Sequence, residues 1–215
     1  MGSHLPISLA GILLAMTRVA GAEALSVAEW QQMLAARPNG HAATGARLYA
    51  ELGCGNCHGD AGVPDNRAWP VLAGQRALYL YKMLLDFRAG RVKGPDGALM
   101  SAMVADLDEK RFADLAAWLS GLPRPANAVE AAPPPLLRGD RRRLLPPCEA
   151  CHGANGQGWE LQPALRGQNR TYLENVLLRF KRGERGNDIN GGMTYIARKL
   201  TEEEIRALAT HYGRR

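Results

Sequence analysis

Aromatic side chains are scarce in this sequence: Phe, Trp and Tyr together make up 6% of its 215 residues. Two conventional cores would be thin on that supply, and a large apolar prosthetic group in each would replace the missing buried surface. Long hydrophobic runs are also absent. The longest, Leu5 to Met16, falls short of the ~20 residues a helix needs to cross a bilayer. Cysteine is limited to four. They fall as two close pairs, Cys54/Cys57 and Cys148/Cys151, a spacing that speaks against a framework of bridges between distant segments. No convincing period-two strand pattern occurs.

What is present is a unit used twice. Cys54-Gly-Asn-Cys57-His58-Gly59 recurs as Cys148-Glu-Ala-Cys151-His152-Gly153. Pro70-Val-Leu-Ala-Gly-Gln75 recurs as Pro163-Ala-Leu-Arg-Gly-Gln168, Tyr79 matches Tyr172, Phe87 matches Phe180, and Gly90 matches Gly183. The stretch from Met100 to Leu107 matches that from Met193 to Leu200. One residue is lost between histidine and proline; otherwise the register holds.

Each unit reads as helical. In the first, helices are expected from Gly45 to Leu52, from Gln75 to Arg88, and from an Asp108 cap to about Ser120, where Gly121 and Pro123 end it. In the second they are expected from Asn169 to Lys181 and from a Thr201 cap, with Glu204 three residues on, to about Tyr212. Ser26 and Glu29 suggest a short capped helix within residues 23–40, a segment whose role the sequence leaves open. Residues 1–22 read as an export signal with an Ala20-Gly21-Ala22 cleavage site, although the usual basic start is missing. An uncleaved anchor is the rival reading, and the only route to membrane association. The expected organisation is a first domain over 23–122, a linker over 123–135 with five prolines that should be extended and semi-rigid, and a second domain over 136–215.

C-x-x-C-H is the signature of covalent haem attachment. Two thiols one helical turn apart reach both vinyl groups of a porphyrin, and the adjacent histidine presents an imidazole nitrogen to the iron. Cys54, Cys57, Cys148 and Cys151 are thus candidate attachment residues for two haem c groups, and His58 and His152 candidate iron ligands. A shared zinc site does not suit the 90 residues between the pairs. A thioredoxin-like dithiol needs a preceding strand and no following histidine. For the sixth ligand, methionine suits an electron carrier because a thioether favours ferrous iron. Met100 and Met193 hold matched repeat positions, whereas Met103 aligns with Ile196 and Met83 with Val176. His41 reads as a solvated loop residue. His211 aligns with Trp118 and reads as a packing substitution.

Charge is uneven. Residues 23–125 carry 11 Lys+Arg against 11 Asp+Glu; residues 126–215 carry 15 against 10. The positives are scattered among acids without a nucleic-acid-reading motif, so no nucleic acid partner is expected. A solvated surface and a docking face for an acidic redox partner both remain open.

CGNCHG and CEACHG, PVLAGQ and PALRGQ, and the methionines of LMSAMVADL and GGMTYIARKL resemble the di-haem, tandem class I cytochromes c called cytochrome c-four. The resemblance covers roughly residues 45–213. It implies an all-α architecture of two tandem class I cytochrome c domains, each wrapped around a covalently attached haem. It further implies His58/Met100 on one iron and His152/Met193 on the other, with the Pro70 and Pro163 carbonyls supporting the histidines. Implied too is a periplasmic carrier of single electrons, from a bc-type complex or dehydrogenase toward a terminal oxidase. Departures are the truncated opening helix of the second unit, where Gly139 to Pro147 replaces an amphipathic helix, and His211 where the family favours an aromatic. The alternatives are a cytochrome subunit of a dehydrogenase complex, for example in flavin-dependent sulfide oxidation with 23–40 as a docking element, and a di-haem peroxidase-type enzyme. The latter needs an open iron site or a reactive cysteine, and no cysteine remains beyond the four.

Overall fold

A computed structural model describes residues 26–126 and 133–214. The export segment of the sequence reading, and 127–132 within the linker, lie outside the described residues. In the first half, helices run over Val27–Ala35 (α1), Ala42–Glu51 (α2), Gly55–His58 (α3), Ala77–Arg88 (α4), Pro95–Val104 (α5) and Glu109–Gly121 (α6). The second half holds Glu149–His152 (α7), Arg170–Arg182 (α8), Gly192–Lys199 (α9) and Glu202–Tyr212 (α10). Among the described residues three short 3₁₀ turns are interspersed, one of them at Pro135–Arg138.

The capping signals read in the sequence act as caps. Ser26 and Glu29 form a capping box on α1, Thr201 and Glu204 form one on α10, and Asp108 accepts from the Arg111 N–H at the start of α6. Two helices were not anticipated: α5 and α9, which carry Met100 and Met193. A parallel pair of two-residue strands, Gln168–Asn169 with Gly213–Arg214, ties the start of α8 to the end of α10.

In the first half, Trp30, Tyr49, Tyr81, Phe112 and Leu115 pack into one apolar cluster. The buried Trp30 gives α1 a structural role that periodicity alone left open. The tightest crossing is between α2 and α6. A Cβ on Gly45 would stand 2.0 Å from the Asp114 carbonyl oxygen, so the helices approach to backbone contact there. Gly45→Ala is expected to destabilise the protein by about 3 kcal/mol, the upper range for overpacking a close-packed site. Thermal denaturation of the holoprotein should show a fall of roughly 10 °C or more.

The second cluster is smaller, built on Leu173, Ile205, Leu208 and Tyr212. No regular helix replaces the missing opening element here; Asp140 to Leu145 form a tight bridged turn instead. Arg143 fastens that turn to the rest of the unit. Its guanidinium donates to Glu204 at 2.6 and 3.0 Å, to Asp140 at 2.7 Å, and to the Lys199 carbonyl at 3.3 Å. The Arg143 hydrogen bonds hold both the Glu204 and Asp140 carboxyls below the usual carboxylate range. A carboxyl whose folded pKa is depressed contributes stability above its unfolded value, and that contribution fades as pH falls through the folded one. Arg143→Ala is therefore expected to melt below wild type near neutral pH. The gap should narrow as pH drops below about 4, the region of ordinary carboxylate titration, as melts across a pH series will show.

The repeat is visible in hydrogen bonds as well as in letters. Leu72 and Ala73 N–H donate to the Gly62 carbonyl at 2.8 and 3.1 Å; Leu165 and Arg166 N–H donate to the Gly156 carbonyl at 2.8 and 3.0 Å. Gly74 N–H donates to Leu119 and Gly167 N–H to Tyr212, closing each unit's loop onto its last helix. The halves are packed together. Arg124, at the start of the linker, donates to Ala73 in its own half and to Ala164 and Arg166 in the other. Lys82, Asp86, Arg185 and Asn187 form a buried polar group across the junction, in which Asn187 donates to Asp86 at 2.6 Å and Lys82 donates to the Asn187 carbonyl at 2.6 Å.

Candidate functional site

Each C-x-x-C-H segment folds into a single helical turn. Cys54 and Cys148 take αR geometry at the head of α3 and α7, and the histidine N–H donates back to the first cysteine's carbonyl at 2.9 and 3.0 Å. The thiols are unbridged. Cys54 packs against the first apolar cluster and Cys148 against the second, and burial pushes both thiols up. The turn ends at a glycine with positive φ, Gly59 (74°) and Gly153 (75°). At Gly59 a Cβ would also lie 2.2 Å from the Val63 carbonyl oxygen, so no larger residue follows His58 without moving the loop.

The histidines face inward. His152 is buried, and its Nδ1–H donates to the Pro163 carbonyl at 2.9 Å. His58 Nδ1 is buried without a hydrogen bond of full geometry, although the Pro70 carbonyl is the neighbour that favours its protonated ring. Burial holds both imidazoles below their ordinary value. Both therefore rest neutral, and in His152 a proton on Nδ1 leaves Nε2 with a free lone pair. A neutral imidazole fixed from behind by a carbonyl is a prepared metal ligand.

Met100 sits on α5 and packs on the same cluster as Cys54 and Leu72. Met103, one turn on, is 49% exposed and turned away from that cluster. Met193 is half-buried at the second position of α9, one turn before Ile196, which packs on the second cluster. The structure thus gathers Cys54 and Met100 on one core. In the second unit Cys148 joins the core while Met193 stands at its margin. His41 is the exposed N-cap residue of α2, its backbone N–H donating to Asp114 at 2.6 Å. His211 lies edge-on against the Tyr212 ring at 4.8 Å. Met83 is buried, its sulfur accepting from Asn187 at 3.3 Å.

Paired thiols, a neutral imidazole and a thioether are a donor set suited to covalently held haem iron. The half-buried thiols at the edge of each apolar cluster and the inward-facing histidines fit such a group. Sequence reasoning passed over the buried polar residues at the junction of the halves. Gln75 and Gln168 were visible as repeat partners, but glutamine ordinarily signals a solvated surface and gave no sign of a role.

Comparison with known proteins agrees with this geometry. The family model for cytochrome c matches residues 42–123 and again 145–211. The chain is 35% identical over 189 residues to a thiosulfate dehydrogenase electron acceptor of Stutzerimonas stutzeri strain A1501, covering 80% of this chain and 86% of the relative. It is 35% identical over 174 residues to cytochrome c4 of Stutzerimonas stutzeri, covering 74% of this chain and 82% of the relative. The crystal structure of reduced recombinant cytochrome c4 from Pseudomonas stutzeri superposes with a TM-score of 0.72 at 34% identity, over 80% of this chain and 97% of that one. The chain belongs to the cytochrome c family, as an electron-carrying protein of the cytochrome c4 type built from two cytochrome c domains with two covalently bound haem c groups.

Proposed function

We propose that this protein is a periplasmic shuttle that takes up one electron per haem from a larger redox complex and delivers it toward a terminal oxidase. The observation that carries the reading is the doubled unit of paired thiols, inward-facing histidine and matched methionine. The domains would run over 23–122 and 136–215, joined by 123–135, with residues 1–22 as the export signal. Cys54, Cys57, Cys148 and Cys151 are assigned as thioether sites, His58 and Met100 as ligands of one iron, and His152 and Met193 as ligands of the other. The haems supply reversible one-electron oxidation and reduction at iron. The chain's residues do the rest. Both histidines would donate to iron, His152 from a buried position with its ring oriented by Pro163 and His58 from a half-buried one. The methionines would offer each iron a thioether, which favours the ferrous state. With a histidine and a methionine offered to each iron, the chain's work would reduce to setting potentials and limiting rearrangement. Among the described residues no helix is long and apolar enough to cross a membrane.

A second reading makes the same chain the electron acceptor or cytochrome subunit of a dehydrogenase, and one relative named as a thiosulfate dehydrogenase electron acceptor favours it. Stopped-flow kinetics separates the two. The oxidised holoprotein is mixed with thiosulfate and a thiosulfate dehydrogenase, and the reduced holoprotein with oxidase-containing membranes. Fast oxidation by the membranes supports the shuttle; rapid reduction in the dehydrogenase arm alone supports the second reading. Turnover of peroxide by the wild-type protein would contradict both.

A further inference from the structure

The two Pro-x-Leu-x-Gly-Gln segments meet at the junction of the halves, and each ends in a glutamine whose side chain crosses it. Gln75, 3% exposed, accepts from the Ala164 N–H at 2.7 Å and donates to the Ala164 carbonyl at 3.0 Å. Gln168, 4% exposed, accepts from the Val71 N–H at 2.6 Å and donates to the Val71 carbonyl at 3.0 Å. Val71 and Ala164 are repeat partners, as are the glutamines, so the clasp is reciprocal. Each glutamine oxygen also accepts from the N–H of the following residue, Arg76 or Asn169, at 2.9 and 2.8 Å, which fixes the rotamer.

The peptide groups held this way are not arbitrary. The Ala164 N–H belongs to the same peptide unit as the Pro163 carbonyl, and that carbonyl accepts from His152 Nδ1 at 2.9 Å. The Val71 N–H shares its peptide unit with the Pro70 carbonyl, the backbone group beside His58, whose Nδ1 makes no hydrogen bond of full geometry. A peptide group is one conjugated system. An acceptor on its N–H pushes electron density to its oxygen, and hydrogen bonds in such a chain reinforce each other in a low-dielectric interior. A stronger acceptor behind Nδ1–H makes the imidazole a more basic ligand.

We propose that Gln75 and Gln168 are positioning residues acting across the junction, each fixing and raising the basicity of the iron-ligating histidine in the opposite domain. The potential of each haem then depends on the docking of the other domain. This rests on the assignment of His58 and His152 as ligands. Ferric iron, carrying one more positive charge, gains more from a basic ligand than ferrous iron. Losing the glutamine therefore raises the opposite haem's potential.

The test uses the di-haem holoprotein and the variants Gln75→Leu and Gln168→Leu. Arg76→Ala serves as a control that loosens the same junction, through its 2.9 Å bond to the Gln157 carbonyl, without touching the clasped peptides. Redox titration with NMR assignment of each haem gives the two potentials, and the histidine Nδ1–H resonances of the reduced protein report the ligand directly. Gln75→Leu is expected to shift the second-domain haem by about threefold in its ferric/ferrous equilibrium, ~28 mV at 59 mV per decade for one electron. Its His152 Nδ1–H resonance should move with it. Gln168→Leu should shift the first-domain haem by less, because His58 Nδ1 is less well aligned; Arg76→Ala should shift neither. Should Gln75→Leu not accumulate with both haems, Gln75→Met carries the same readouts. A shift confined to the haem of the substituted domain, equal shifts in all three variants, or none would overturn the relay. Wild-type protein lacking histidine-ligated haems would instead sink the ligand assignment beneath it.

Discussion

The double substitution Cys148→Ala, Cys151→Ala is expected to leave one covalently bound haem per chain and a second domain that no longer holds its fold. The second apolar cluster is the smaller, and its opening element is a bridged turn held by Arg143 rather than a helix. Cys148 packs directly on that cluster, so removing the attachment withdraws the group around which the core closes. The corresponding change at Cys54 and Cys57 also costs one haem. It strikes a half with Trp30, Tyr49, Tyr81 and Phe112 in its core, however, and should leave more residual structure. Haem quantitation after removal of free haem, with circular dichroism on the same samples, measures both outcomes. Retention of two haems in the Cys148/Cys151 variant would refute the attachment assignment.

Replacing Met100 by Ala carries the second large effect. With the thioether gone, the sixth position of the first haem opens to water or to added ligand, and the preference for ferrous iron is lost. The first potential is expected to fall by on the order of 0.1 V or more, within the ~0.8 V range that axial ligands span. The ferric spectrum should turn partly high-spin, and the variant should bind small ligands that wild type does not. Met103→Ala, at a side chain 49% exposed, is the control and should leave spectrum and potential unchanged. An unaltered Met100→Ala spectrum would remove Met100 from the ligand set.

The repeat carried most of what could be read in advance. It marked the paired cysteines and histidines, chose Met100 over Met103, and, with the caps at Ser26, Asp108 and Thr201, located the flanks of three helices. Of the two methionine-bearing helices, α5 escaped because its apolar side chains do not mark out one clear stripe: Leu99 and Met103 are exposed while Met100 turns inward. The junction between the units was illegible for a different reason. Gln75, Gln168 and Asn169 have the composition of a wet surface, yet each is buried and its side-chain amide donates to the other half's backbone. Lys82 and Asp86 are charged residues one turn apart on α4, yet both are interior, tied to Asn187 of the second unit. Periodicity reports which face of an element is apolar. It does not report that a polar face is covered by a neighbouring domain.

The most direct test of the account is peptide mapping by mass spectrometry of protein matured in a host competent for haem attachment. The account predicts two haem adducts per chain, one on the peptide holding Cys54 and Cys57 and one on that holding Cys148 and Cys151. Unmodified thiols at either pair would contradict it.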